Sequence, residues 1–329
     1  MTVLDGIELD GIELDIQKRN RVKDCIKFNE PLDKVLHVIM VVSNPCSYVR
    51  RYQLAKEFIL RMKQEDFIQL YIVELSYETQ PFVLTQENNP HHLQLRTETP
   101  IWHKENMINL GTNLFPSDWK AMAWIDADIE FDSNTWALDT LKILNGYADM
   151  VQLFSHAVDL DKDETTMNVA NSGGYQYEKQ LSYRMGINYW HPGYAWACTR
   201  KAYEIMGGLY QNAILGSGDQ IMMLSLLGQV EKALHPNNQE DYRKDAFSFQ
   251  ERVKQIRFSY VPGVIRHYFH GTKANRRYRE RWQILVDHKY NPQEHLKKDG
   301  NGLLVPSERC PPKLLEDILQ YFKDRNEDD

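Results

Sequence analysis

Trp124-Ile125-Asp126-Ala127-Asp128-Ile129-Glu130-Phe131 is the stretch on which the reading of this chain turns. The apolar run Ala121 to Ile125 reads as a buried strand and passes straight into two carboxylates two positions apart. The two-residue period of a strand puts both on one side, and a pair of oxygen ligands suits Mg²⁺ or Mn²⁺. The plainer alternative is that D-x-D only ends a strand and opens a turn, where acids are common. Its place in the chain favours the metal, because the motif closes the fourth strand of an alternating pattern.

Outward from that strand toward the N-terminus, Leu93–Arg96, Phe67–Leu75 and Val35–Val42 read as buried strands. Between them, Arg51–Lys63 has helical apolar spacing at Leu54, Phe58 and Met62, and Lys104–Leu110 reads as a further helix. A helix near Thr135–Asn145 follows the D-x-D. Strands separated by helices predict a mainly parallel sheet covered on both faces, with ligands beyond the carboxyl ends of its strands. Asp159–Gly174 is rich in turn-formers and reads as a loop, whereas Ile205–Leu227 reads as helical on either side of Gly216-Ser217-Gly218. Residues 1–33 form an acidic N-terminal extension with a short tandem duplication, DGIEL at Asp5–Leu9 and again at Asp10–Leu14. A single catalytic domain over 34–305 and a C-terminal helical tail over 306–329, helical around Leu314–Phe322, complete the division.

Composition excludes several classes. The 329 residues are 42% hydrophobic and 26% charged, as in ordinary globular proteins. With 39 basic against 46 acidic side chains, the net charge of −7 offers no general attraction to nucleic acid. The four cysteines, Cys25, Cys46, Cys198 and Cys310, lack CxxC spacing, which points to a reducing compartment rather than to zinc or disulfides. Val35–Val42 is far shorter than the roughly 20 residues that span a bilayer, and the acids in Met1–Asp15 oppose a signal peptide. A cytoplasmic protein without a membrane span is therefore expected. GxxxxGK[ST], strand-linked GxGxxG and GxSxG motifs are all missing from the sequence.

Two further clusters carry chemistry. Arg266-His267-Tyr268-Phe269-His270-Gly271-Thr272-Lys273 leads into Asn275-Arg276-Arg277-Tyr278-Arg279-Glu280-Arg281 and concentrates cations in an acidic chain. Guanidinium groups pair well with diphosphate, and an imidazole can complete a metal site begun by carboxylates, although a solvated basic face is the plainer alternative. Residues three apart in an extended run face opposite ways, so His270 is expected at the metal with His267 turned from it. In Tyr189-Trp190-His191-Pro192-Gly193-Tyr194-Ala195-Trp196, rings offer flat faces to sugars, with core packing as the alternative. Asp219, after Gly216-Ser217-Gly218, is a candidate general base or else a helix N-cap.

These motifs, in this order, resemble nucleotide-sugar-dependent glycosyltransferases of the GT-A type, from about Leu36 to about Leu304. MAWIDADIEF resembles the family's D-x-D strand, WHPGYAWACTRKAYEIMGGLYQNAILGSGDQIMM the acceptor-side segment of galactosyltransferase-like members, and HYFHGTKANRRYRERWQIL the C-terminal histidine motif. The resemblance implies a Rossmann-like α/β domain with a mixed, mainly parallel sheet. It implies Mn²⁺ or Mg²⁺ held by Asp126, Asp128 and His270, a UDP- or GDP-linked sugar donor, and transfer of a hexose to a glycan or other hydroxyl acceptor. Asp219 would be the catalytic acid of the segment, standing where many relatives have an acidic pair. Glu74 would bind the base; Lys104 and Asn109 would face the donor, Arg276 and Arg277 the diphosphate, and Trp190, His191 and Trp196 the acceptor. Two other readings stay open: a D-x-D phosphohydrolase with Asp126 as nucleophile, and a carbohydrate-binding protein without catalysis.

Overall fold

The computed structural model describes residues 21–181, 190–277 and 280–328; the tandem duplication lies outside them. Strand β1 (Leu36–Ser43) leads through the loop 44–48 into helix α1 (Val49–Met62), which buries Leu54, Ala55, Phe58 and Met62 along one face. Strands β2 (Ile68–Tyr77) and β3 (His92–Thr97), helix α2 (Lys104–Gly111) and strand β4 (Ala121–Ile125) follow. After the short β5 (Ile129–Phe131) come α3 (Trp136–Leu144), β6 (Met150–Gln152), β7 (His156–Leu160), β8 (Thr166–Ser172) and α4 (Gly173–Glu178). Strands β9 (Trp190–His191) and β10 (Ala195–Thr199), helices α5 (Arg200–Met206), α6 (Gly218–Leu226) and α7 (Glu240–Val253), and strands β11 (Phe258–Tyr260) and β12 (Val264–His267) complete the site-bearing part. A C-terminal helix spans Pro312–Asp324.

The main sheet has seven strands in the order β11-β6-β10-β4-β1-β2-β3. Only β10 runs antiparallel to its neighbours β4 and β6. The protein is thus the expected α/β class, a mainly parallel sheet flanked by helices. Strand alternation builds a core on each face: Val38, Met40, Ala123 and Ile125 enter one, Ile39, Val73, Trp124 and Trp196 the other. A second sheet, β5-β12-β7-β8-β9, stands beside the carboxyl end of β4. Its antiparallel β5–β12 pairing matches His267 to Ile129, immediately after the D-x-D.

Two sequence expectations change. The segment 159–174 is not a loop: β7 and β8 pair antiparallel through a tight turn in which Asp161 Oδ1 accepts from the amides of Asp163 and Thr165 at 3.0 and 2.9 Å. Polar β8 lies mostly exposed, which is why its composition imitates a loop. Helix α5 ends at Gly207 (φ 72°), so the stretch before Gly216-Ser217-Gly218 is irregular rather than helical. The Asn109 carboxamide takes up this stretch, binding the Leu209 amide and carbonyl at 2.8 and 3.0 Å. Part of the N-terminal extension packs on the body: Val22 is buried, and the Leu32 amide donates to Leu141 O on α3 at 3.0 Å. Among the described residues, no helix is long and apolar enough to cross a membrane.

Candidate functional site

Strand β4 ends at Ile125, so the two acids of the motif sit in the turn to β5, not in a continuing strand. Strand parity therefore does not govern them, and they separate. Asp126, whose amide donates to Tyr194 O at 2.9 Å, forms an ion pair with Lys104 at the start of α2. Burial raises the Asp126 carboxyl above its ordinary range, aided by Asp128 and opposed by Lys104. Burial disfavours the charge on Lys104, yet Asp126 and then Asp219 more than offset it and hold its pKa high.

Asp128 faces the histidines. Its Oδ2 lies 2.8 Å from His270 Nε2 and 3.8 Å from His267 Nε2. Burial opposes its charge, but the two imidazoles, His270 first, hold its pKa well below the usual carboxylate range. The expected opposition of His267 and His270 is overturned. Strand β12 stops at His267, the Tyr268 amide donates to Asp128 O at 2.9 Å, and the chain turns back through Gly271 (φ 86°), so both rings face the same carboxylate. Their Nε2 atoms are 3.3 Å apart. On the far side of its ring, His267 Nδ1 meets Asp159 Oδ1 at 3.0 Å, an oxygen that also accepts from Tyr194 OH at 2.6 Å. Such a carboxylate fixes the tautomer that presents Nε2 as a lone pair.

Asp128, His267 and His270 are a fit for a divalent cation, with one ligand atom from each within 4.8 Å of the others. Asp128 Oδ1 is buried and has no hydrogen-bond partner among the described residues. Two imidazole nitrogens beside a carboxylate suit Mn²⁺ better than Mg²⁺, which prefers oxygen.

Two cavities share wall residues beside this cluster, and His267 borders both. The smaller, about 180 Å³, lies beyond β1 and is walled by Ser43–Cys46, Asp126–Asp128 and both histidines. The larger, about 660 Å³, is walled by His191–Tyr194, Asp219 and Gln220 on one side and Lys232–Pro236 on the other. Trp102, Lys104, Asp126, Tyr194, His267, Arg276 and Arg325 border both. Asp219 is in the first turn of α6 and lines the larger cavity; the N-cap position belongs to Ser217 (φ 70°). A Cβ at Gly193 would come within 2.6 Å of Asp219 Oδ2, so a side chain there would displace the carboxylate.

The remaining expected site residues divide. Lys104, Arg276 and His191 line the clefts, His191 stacked on Tyr194 with ring centroids 3.8 Å apart. Arg276 Nη2 donates to His270 Nε2 at 2.8 Å. Trp190 and Trp196 do not reach the cleft: both are buried in the core, and Trp196 stacks on Phe258 at 5.3 Å while its Nε1 donates to Pro192 O at 2.8 Å. Glu74 is buried away from both cavities, where its carboxylate accepts from the amides of Val83, Leu84 and Thr85 at 2.7 to 3.0 Å. Asn109, on the far side of α2 from Lys104, holds Leu209 as described. Arg277 points outward to Asp324 at 3.3 Å.

Residues that sequence reading did not reach complete the walls. Arg51, Phe322 and Glu327 line the smaller cavity, Glu105 the larger, and Trp102 and Arg325 both. The only available signal was the ring of cations around the histidine motif, because the tail residues arrive from the far end of the chain.

No protein-family profile matches the sequence, and no curated protein matches it either. Among solved structures, the chain is similar to glycosyltransferases. One is a mannosyltransferase from Pyrobaculum calidifontis in complex with GDP-Man and Mn²⁺, at 12% identity, covering 95% of this chain and 77% of that one, with a TM-score of 0.42. Another is a Drosophila β1,4-galactosyltransferase 7 mutant in complex with manganese, UDP-Gal and xylobiose, at 10% identity, covering 83% and 93%, with a TM-score of 0.39.

Proposed function

We propose that this chain is a metal-dependent glycosyltransferase that moves a hexose from a UDP- or GDP-linked donor to a hydroxyl acceptor. The observation that carries the reading is the Asp128, His267 and His270 cluster beside two cavities that share Arg276 and Arg325, the larger of them also containing the carboxylate of Asp219. Mn²⁺, when held by Asp128 and the two histidines, would neutralise charge on a leaving diphosphate. Asp126 borders that site and pairs with Lys104, whose charge is also favoured by Asp219. In the larger cavity Asp219 is the base that takes the acceptor proton, with His191 and Tyr194 as a stacked wall for the sugar face.

Incubation with a panel of nucleotide sugars, with Mn²⁺ or with EDTA, tests this. Release of nucleoside diphosphate only with Mn²⁺ is expected. Release of inorganic phosphate from phosphoesters instead would favour the phosphohydrolase, and no turnover of any donor with retained sugar binding would favour the non-catalytic reading.

A further inference from the structure

Arg51, Arg276 and Arg325 all line the smaller cavity. Burial lowers the pKa of Arg325, and the neighbouring charges of Arg51 and Arg276 add to that, so the three guanidinium groups feel one another. Between Arg51 and Arg325 lies the carboxylate of Glu327, on the segment that follows the C-terminal helix and 1% exposed. Its Oε1 accepts from Arg51 Nη2 at 2.8 Å and pairs with Arg325 Nη2 at 2.5 Å, while Oε2 is 3.6 Å from His270 Nδ1.

The wall has donors to spare. Arg325 is 6% exposed, and its Nε has no hydrogen-bond partner among the described residues; the same holds for the buried Nε1 of Trp102, over which the Arg325 guanidinium stacks at 5.5 Å. Buried donors without acceptors are costly, and guanidinium forks match groups with several anionic oxygens.

The tail is built into place. Tyr48 OH donates to Phe322 O at 2.9 Å and accepts from the Asn326 amide at 3.1 Å. At Gly271 a Cβ would lie 3.0 Å from both Asn326 O and Glu327 Cα, so the histidine motif is shaped to let the tail pass.

We propose that Glu327 is the resident counter-anion of this arginine-lined cavity, with which an incoming diphosphate competes. The acid offsets one of the three guanidinium charges and sets an affinity ceiling that the ligand must overcome. The proposal deepens the nucleotide reading above and rests on it only for what carries the diphosphate.

Calorimetric titration of the full chain with inorganic diphosphate in metal-free buffer tests it, with UDP as a second arm. Glu327→Gln is expected to bind diphosphate at least tenfold more tightly than the parent, and Arg325→Gln at least tenfold more weakly. Parallel changes for UDP support the site as the nucleotide's own; changes for inorganic diphosphate alone support a site for the free anion. An unchanged or weaker affinity in a folded Glu327→Gln variant overturns the proposal. Should that variant fail to fold, judged by its thermal midpoint, Arg325→Gln decides, because it keeps the Arg51–Glu327 pair; unchanged affinity there also overturns it. Neither sugar nor metal enters the titration, so its failure is distinct from failure of the transferase assay.

Discussion

Glu105 offers a quantitative check on the interior of the larger cavity. It follows Lys104 in the first turn of α2, is 3% exposed, and packs its Oε1 where a Cβ on Gly218 would come within 2.5 Å. Burial pushes its pKa up to about 8, with Lys104 opposing the shift and Asp219 adding to it. Relative to an ordinary value of 4.5, the folded state prefers the neutral acid. The unfolded chain ionises first as pH rises, so the stabilisation is complete below about pH 4.5 and lost progressively up to about pH 8. At about 1.4 kcal/mol per pH unit, the full loss is on the order of 5 kcal/mol. Glu105→Gln keeps the shape and cannot ionise. Urea unfolding of both proteins from pH 5 to pH 8 should show the parent losing several kcal/mol relative to the variant, which overtakes it at high pH. Parallel curves, within about 1 kcal/mol across that range, would refute the reasoning and mean that the carboxyl is solvated or ionised in the folded protein.

Three further outcomes follow from the site. His267→Ala and His270→Ala should each weaken Mn²⁺ binding at least tenfold by calorimetry; an unaffected His267→Ala would return the site to a single imidazole. Asp219→Asn should lower transfer by about 10²–10⁴-fold while metal-dependent nucleotide affinity stays intact, and near-parental turnover at saturating substrates would remove it as the base. Trp196→Ala should cost about 3–5 kcal/mol in urea unfolding, as expected for a buried ring in a two-sided core. A weakened acceptor KM without that stability loss would place the ring back in the cleft.

Much of the scaffold was legible because buried strands and amphipathic helices carry local periodicity. Ala121–Ile125 is the same strand in sequence and structure, and Leu54, Phe58 and Met62 face inward at the helical spacing that announced them. The candidate site was legible as motifs but not as roles. An aromatic residue near a glycine reads alike whether it packs in the core, as Trp196 does, or borders a cleft, as His191 does. Glu74 looked like a binding acid at the end of a strand, yet three amides of a loop across the sheet edge consume it.

The sequence alone determined the class of the sheet, the position of Asp126 and Asp128 at its carboxyl end, and the proximity in the chain of His267 to His270, because each depends on short-range spacing. Only the tertiary structure decided which groups meet. It ended β4 and β12 at residues where parity reasoning assumed they continued, which sent Asp126 to Lys104 and turned both histidines toward Asp128. It also brought Glu327 to Arg51 across 276 positions. A local pattern reports the direction of a side chain within its own element, but a site assembled from loop ends depends on where elements stop and what packs against them, and those are set by the whole fold.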